Sequence, residues 1–263
     1  MALGIITGSG TYALPGIETT DLEIVPTRFG DAEVTSGRFA GVDVLHVSRH
    51  REGHERLSSQ VTHRANIAAL QELEAQAVLA VTVCGATDPS LSLGDLVVFD
   101  DLHFLANRLP DGSLCTLHDR PGEPGRGHWV FEDPFAPELR AALLDGARSE
   151  GHAVRDGGCY GHVDGPRFNA KAEIRSLRAV GVTAVSQTAG PETVLCGEAG
   201  IPYGLLGFVT DYANGVADEP TPVETLMRLL RESGATLAAT LGAAVTRLDL
   251  AAIAPVGTRI AWD

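Results

Sequence analysis

Ser9 lies between Gly8 and Gly10, straight after the apolar run Ala2-Leu-Gly-Ile-Ile-Thr7. Glycine tolerates positive φ and lets backbone approach a ligand closely, so a strand feeding Gly-Ser-Gly can aim amides and a hydroxyl at an anion. The alternative is a plain tight turn after a first strand. Ser48-Arg49-His50 closes a second run, with His54 four residues further on. Arginine offers a planar fork of donors suited to phosphate, and the imidazole adds another. The competing reading is a surface ion pair with one of the many carboxylates. Thr82-Val83-Cys84-Gly85 closes a third run and brings a hydroxyl and bare backbone to a strand end. Ligands of open α/β sheets lie beyond the carboxyl ends of the strands, so Ser9, Arg49, His50 and Thr82 converge if these strands are neighbours.

The elements that must position them alternate along the chain. Apolar runs rich in β-branched residues predict buried strands over 42–47, 77–83, 96–99, 182–185 and 205–209. Helical periodicity predicts helices over 61–75, with Ile67, Leu70 and Leu73 on one face, and over 137–150, which opens on Pro137 and carries Leu139, Leu143 and Ala147. Two more are predicted over 170–180 and 222–248. The fold class is α/β: one domain over residues 1–263, with a central mixed, mostly parallel twisted sheet flanked by helices. The stretch 107–137 is rich in Gly, Pro, Asp and Arg and too long for a plain connection, which points to a functional loop or a subunit contact.

Composition narrows the function. With 20 basic against 34 acidic residues the chain carries a formal charge of −14, and no Lys/Arg cluster offsets it, so nucleic acid is excluded as a partner. A small anionic substrate needs a local site that overcomes the same background. No run approaches the roughly 20 apolar residues that span a bilayer, and no basic segment precedes the first apolar run, so a cytoplasmic protein without membrane contact is expected. The four cysteines, Cys84, Cys115, Cys159 and Cys196, lack CxxC spacing and read as free thiols. The nine histidines show no ligand spacing for a metal, so none is expected.

Taken together, Gly4-Ile-Ile-Thr-Gly-Ser-Gly10, Arg49-His50 with His54, Val61-Thr-His-Arg-Ala-Asn-Ile67, Cys84-Gly85, Gly165-Pro-Arg-Phe168 with Ala172-Glu173, Thr188-Ala-Gly-Pro-Glu192 and Thr210-Asp-Tyr212 occur in the order and spacing of one family. Over about residues 3–248 the chain resembles the trimeric purine nucleoside phosphorylases, and within them most resembles the 5′-methylthioadenosine phosphorylases. Agreement of seven motifs in order outweighs the weakness of each. The resemblance implies phosphorolysis: inorganic phosphate, a co-substrate in a reaction that needs no cofactor, attacks the anomeric carbon of a purine nucleoside. It further implies phosphate ligands at Ser9, Arg49, His50, Thr82, Val83 and Thr188, and Asp211 as the catalytic acid facing N7 and the exocyclic amino group of adenine. On the same basis Cys84, Gly85, Phe168, Asn169, Gln187 and Ala213 surround base and sugar, while Val223, Leu226 and Met227 form an apolar 5′ wall. Such a stripe also occurs on any amphipathic helix, Phe168 would suit a plain core, and Asp211 would suit a turn cap. His128 matches a histidine that reaches a neighbouring subunit's 5′ pocket, which implies a homotrimer.

Two positions bear on the base. Members acting on 6-oxopurines carry glutamate where this chain has Asn169, and tend to asparagine at Asp211, so a 6-aminopurine is expected. Three departures stand against a routine family member: Gln187 replaces a methionine under the ribose, Ala213 replaces a second aspartate, and Val83 is bulkier than usual beside phosphate. The rival readings are a phosphorylase of 6-oxopurine nucleosides, 5′-methylthioinosine included, and a non-catalytic nucleoside-binding homologue.

Overall fold

The computed structural model describes residues 1–131 and 133–262, the Thr19 side chain apart. Its elements run β1 (Ala2–Thr7), β2 (Glu18–Thr27), β3 (Gly30–Phe39), β4 (Val42–Ser48), α1 (His63–Glu72), β5 (Ala75–Ala86), β6 (Leu96–Val98) and β7 (Asp101–His103). There follow β8 (Gly127–Val130), α2 (Pro137–Ser149), β9 (Val154–Asp156), β10 (Cys159–His162), α3 (Lys171–Ala179) and β11 (Val182–Ser186). The chain ends with α4 (Ala189–Ala199), β12 (Tyr203–Tyr212), α5 (Val223–Val245) and β13 (Thr258–Ala261).

The five predicted strands and four predicted helices are present with ends shifted by a few residues. One shift separates α1 from β5: the helix stops at Glu72, and Glu74, at φ 57°, reverses the chain into β5 at Ala75. The β2–β3 hairpin was not legible in the sequence because Pro26 and Gly37 interrupt largely polar strands. α4 was not legible either, since it opens on Ala-Gly-Pro and is buried nearly all round, without an amphipathic period.

Eleven strands form one mixed sheet in the order β2-β3-β4-β1-β5-β11-β10-β7, and β12 branches from β5 toward β6 and β9. β4, β1, β5 and β12 run parallel, whereas the hairpin, β6 and the β5–β11 contact are antiparallel. β8 and β13 form a separate two-stranded ribbon. α1 and α4 pack on one face and α2 and α5 on the other. Each face buries its own apolar cluster, one around Ile67, Leu70 and Leu195 and the other around Leu139, Leu143 and Leu241.

β5 changes partner midway. β1 accompanies it as far as Ala80, and β11 meets it only at Gly85 and Ala86. β12 holds the opposite edge throughout. The edge between those two partners is closed by a side chain. The Arg49 guanidinium, 1% exposed, donates to the Val81 carbonyl at 2.7 Å and grips Glu192 of α4 through Nε at 2.7 Å and Nη2 at 2.8 Å. Tyr203 donates to the same carboxylate at 3.0 Å. One buried ion pair therefore joins β4, β5, α4 and β12 at the point where the sheet divides. Arg49 does form an ion pair, but a buried one. Removing one partner leaves an uncompensated buried charge, so Glu192→Ala should lower the unfolding free energy by about 3–5 kcal/mol. Urea denaturation measures this, and a loss below about 1 kcal/mol would deny the pair its structural role.

Candidate functional site

A cavity of about 290 Å³ opens at the carboxyl ends of β1, β4, β5, β11 and β12. Its size lies at the lower end of small-molecule sites, which run from roughly 300 to 1,000 Å³. All six residues expected at phosphate (Ser9, Arg49, His50, Thr82, Val83 and Thr188) line it. Cys84, Gly85 and Asp211 line it too, as do Phe168, Asn169, Gln187, Ala213, Leu226 and Met227. Val223 does not: it is the first residue of α5, 74% exposed and one turn short of the cavity. His128 does not either; it sits on β8 and faces a second cavity with His103 and Trp129.

At the sheet end of the cavity, Arg49 has already used three of its five N–H donors on Val81 and Glu192. Burial alone would push its proton affinity down, but the Glu192 carboxylate more than offsets that and the guanidinium stays charged. Its charge is thus shared with Glu192. A Cβ at Gly8 would collide with Arg49 Nη1, which explains the glycine beside Ser9. The Thr82 hydroxyl lies 2.9 Å from that of Ser186, so two hydroxyls from facing strands meet here. Tyr160 accepts from the Thr188 and Ala189 amides at 3.4 and 3.1 Å and seats the start of α4.

His50 is neutral near pH 7, because burial and then the nearby Arg49 charge lower its pKa to about 4. Its Nδ1 lies 2.8 Å from the Arg56 carbonyl, which only accepts, so Nδ1 carries the proton and Nε2 remains an acceptor. The ring stacks on His54 at 4.4 Å, and His54 Nδ1 lies 3.0 Å from the Tyr12 hydroxyl.

Asp211 occupies the other end. β12 pairs Val209 with Cys84 and Asp211 with Gly85, so Thr210 is an extra residue in the ladder. Bulges of this kind re-aim side chains. The Thr210 hydroxyl donates to Asp211 Oδ1 at 2.8 Å. A Cβ at Gly85 would stand 2.9 Å from Oδ2, so glycine leaves room for the carboxyl group. Burial raises the Asp211 pKa, opposed only by the Thr210 hydrogen bond. The Cys84 thiol is pushed up by burial and by Asp211, which disfavours the thiolate.

The mouth is formed by Phe168, 62% exposed, together with Asn169 and Gln187. Leu226 and Met227 are joined by Leu230 and Leu57 as an apolar flank. Sequence reasoning missed Leu230, although it continues the stripe at i+4 from Leu226 and i+3 from Met227. It also missed Ser58 and Ser186, for which no local pattern exists, and it gave Glu192 no role.

A family model described as the phosphorylase superfamily matches residues 2–246. The chain belongs to that superfamily. It is 36% identical over 239 residues to a probable 6-oxopurine nucleoside phosphorylase of Moorella thermoacetica, a match spanning 90% of this chain and 89% of that protein. It is 34% identical over 251 residues to an S-methyl-5′-thioadenosine phosphorylase of Pyrobaculum aerophilum, spanning 94% and 87%. Among solved structures, the methylthioadenosine phosphorylase of Schistosoma mansoni in complex with adenine superposes with a TM-score of 0.84 at 27% identity, covering 94% of this chain and 91% of that one. The expected fold class is that of this superfamily member.

Four histidines are held neutral. Burial, then Arg49, lowers His46 and His50 to about 4 and His63 to about 3; burial, then His63, lowers His162 to about 3. Unfolded histidines take up protons near pH 6.5. Stability from these groups is therefore complete above that pH and is lost as pH falls toward 4. The raised Asp211 works in the opposite sense, one group against four. The thermal midpoint should fall between about pH 7 and about pH 5, at up to about 1.4 kcal/mol per pH unit for each histidine. A midpoint constant across that range would contradict the neutral, buried assignments.

Proposed function

We propose that this chain is a purine nucleoside phosphorylase that cleaves 5′-methylthioadenosine, or a close 5′-deoxy-5′-substituted adenosine, to adenine and the corresponding ribose 1-phosphate. The carrying observation is the arrangement along β5. The hydroxyl, imidazole and guanidinium cluster stands at Thr82, and the desolvated Asp211 carboxyl stands at Gly85. Three residues of strand separate them, about 10 Å, which is the span of a sugar with an anion on one side and a base on the other.

Cleavage of the N-glycosidic bond builds positive charge on the sugar and negative charge on the leaving purine. Phosphate held by Ser9, Thr82, Thr188 and the free donors of Arg49 supplies the nucleophile below C1′. His50, as a neutral acceptor, suits a P–OH group of the incoming phosphate. Because Arg49 is balanced by Glu192, hydroxyl and amide donors carry much of the grip, in keeping with a chain of charge −14. The raised pKa of Asp211 helps it keep a proton for N7, while its other oxygen accepts from the 6-amino group. Asn169 supplies no carboxylate for the N1 proton of a 6-oxopurine. Leu226, Met227 and Leu230 would leave a 5′-hydroxyl desolvated without a partner and favour an alkylthio group.

The identity of the Moorella thermoacetica relative favours a second reading, in which the base is a 6-oxopurine and protonated Asp211 donates to it. On either reading the active unit is a homotrimer in which His128, remote from its own cavity, serves a neighbour.

Adenine release from 5′-methylthioadenosine, followed with and without phosphate, tests the reaction; turnover independent of phosphate would refute it. A panel with inosine and 5′-methylthioinosine tests the base, and preference for these would establish the second reading. Asp211→Asn should cut kcat for the aminopurine substrate about 100-fold and move relative kcat/KM toward 6-oxopurines. An unchanged ratio would remove Asp211 from base recognition. Ser9→Ala should raise the phosphate KM several-fold, by roughly the worth of one hydrogen bond to a charged group, and leave the nucleoside KM near its original value.

A further inference from the structure

Gln187 follows β11 and immediately precedes Thr188. Its amide spans the cavity mouth: the Ser58 hydroxyl donates to Oε1 at 2.8 Å, and Nε2 donates to the Arg167 carbonyl at 3.1 Å. The orientation follows from the partners, since a backbone carbonyl only accepts and must face the NH₂ end. The two partners belong to opposite walls. Ser58 begins the 3₁₀ turn Ser58–Gln60, beside the cavity residues His54 and Leu57. Arg167 precedes Phe168 and Asn169 of the mouth. A Cβ at Gly165 would collide with both Gln187 Oε1 and Ser58 Oγ, so the loop lies directly against this amide.

The far side of the loop is anchored elsewhere. The Arg167 guanidinium holds Glu173 of α3 at 2.6 and 2.8 Å, Glu173 accepts from the Ala170 amide at 2.7 Å, and Asn214 donates to the Asn169 carbonyl at 2.7 Å. These contacts pull the loop toward α3 and the end of β12. Gln187 is the tie that draws it to the sheet and the Ser58 turn. A polar residue here reads from sequence as a polar floor beneath the sugar, yet both ends of the amide are engaged by protein.

We infer that Gln187 is a positioning residue, a cross-strap between Ser58 and the Arg167 carbonyl that sets the height of Phe168 and Asn169 over the bound nucleoside. This rests on the nucleoside phosphorylase reading above. It deepens that reading by assigning nucleoside affinity, but not phosphate affinity, to the strap.

The test measures nucleoside and phosphate KM separately, with backbone amide exchange over residues 165–170, for Gln187→Leu, Gln187→Glu, Ser58→Ala and the Gln187→Leu/Ser58→Ala double variant. Gln187→Leu should raise the nucleoside KM about tenfold, the loss of well-made hydrogen bonds, and speed exchange of the loop, with phosphate KM changed less than about twofold. Ser58→Ala should have a smaller effect, and none once Gln187 is gone. Gln187→Glu separates strapping from simple packing: its carboxylate faces the Arg167 carbonyl at about pH 8 and should behave like the leucine variant. Protonated at about pH 5 it can donate, and its kcat/KM relative to the original protein at the same pH should recover. Unchanged nucleoside KM and loop exchange in Gln187→Leu, equal rises in both KM values, or no pH recovery in Gln187→Glu would each overturn the strap. If the unsubstituted protein shows no phosphate-dependent base release, the functional reading fails, and loop exchange still decides whether Gln187 holds the loop.

Discussion

The Arg49–Glu192 pair is the constraint on which the architecture turns. A sheet in which β5 leaves β1 and takes up β11 must open an edge, and an open edge inside a protein exposes backbone groups that have to be satisfied. The guanidinium satisfies the Val81 carbonyl and binds α4 by two hydrogen bonds, while Tyr203 completes the carboxylate. A buried charge pair is weak evidence for net stability, since apolar replacements of similar volume often do as well. Its value here is geometric. It fixes the place where β4, β5, α4 and β12 meet, and the cavity is the space left at that junction.

The cavity is accordingly closer to electrical neutrality than its arginine and histidines would suggest. The one guanidinium is matched by a carboxylate, His50 is uncharged, and Asp211 lies at the opposite end with its pKa raised. The hydroxyl residues Ser9, Thr82, Ser186 and Thr188, from different elements, line the same cavity. In a desolvated site such dipoles act strongly and are fixed in advance of any reaction. Burial likewise holds His50 in the cavity, and His46, His63 and His162 outside it, in the neutral form.

Much of this was legible in the chain. Gly-Ser-Gly after β1, Arg-His after β4 and Thr-Val-Cys-Gly on β5 carry their meaning locally, because strand ends and glycines have short-range signatures, and the parallel strands bring them together. The surface ion pair that was the alternative for Arg49 is instead a buried one, and the residue also lines the cavity. What lay hidden depends on contacts distant in sequence. Glu192 is 143 positions from Arg49, and Gln187 is 129 from Ser58. Periodicity found α5, and Leu226 and Met227 meet the cavity while Val223, a turn earlier, does not, because the phase of a stripe does not report where along its length a helix passes an opening. The β2–β3 hairpin and α4 escaped because their stability is tertiary and their local propensities are poor.

The Thr210 bulge lies near the end of β12, whereas Tyr203, which completes the Glu192 carboxylate, lies at its start. A change of residue near Asp211 therefore falls at the opposite end of β12 from Tyr203 and the ion pair it supports. On the proposed reading, the two ends of one strand carry separate duties, one toward the base and one toward the ion pair. The same reading makes the short stretch from Val209 to Asn214 the natural target for redirecting selectivity by design.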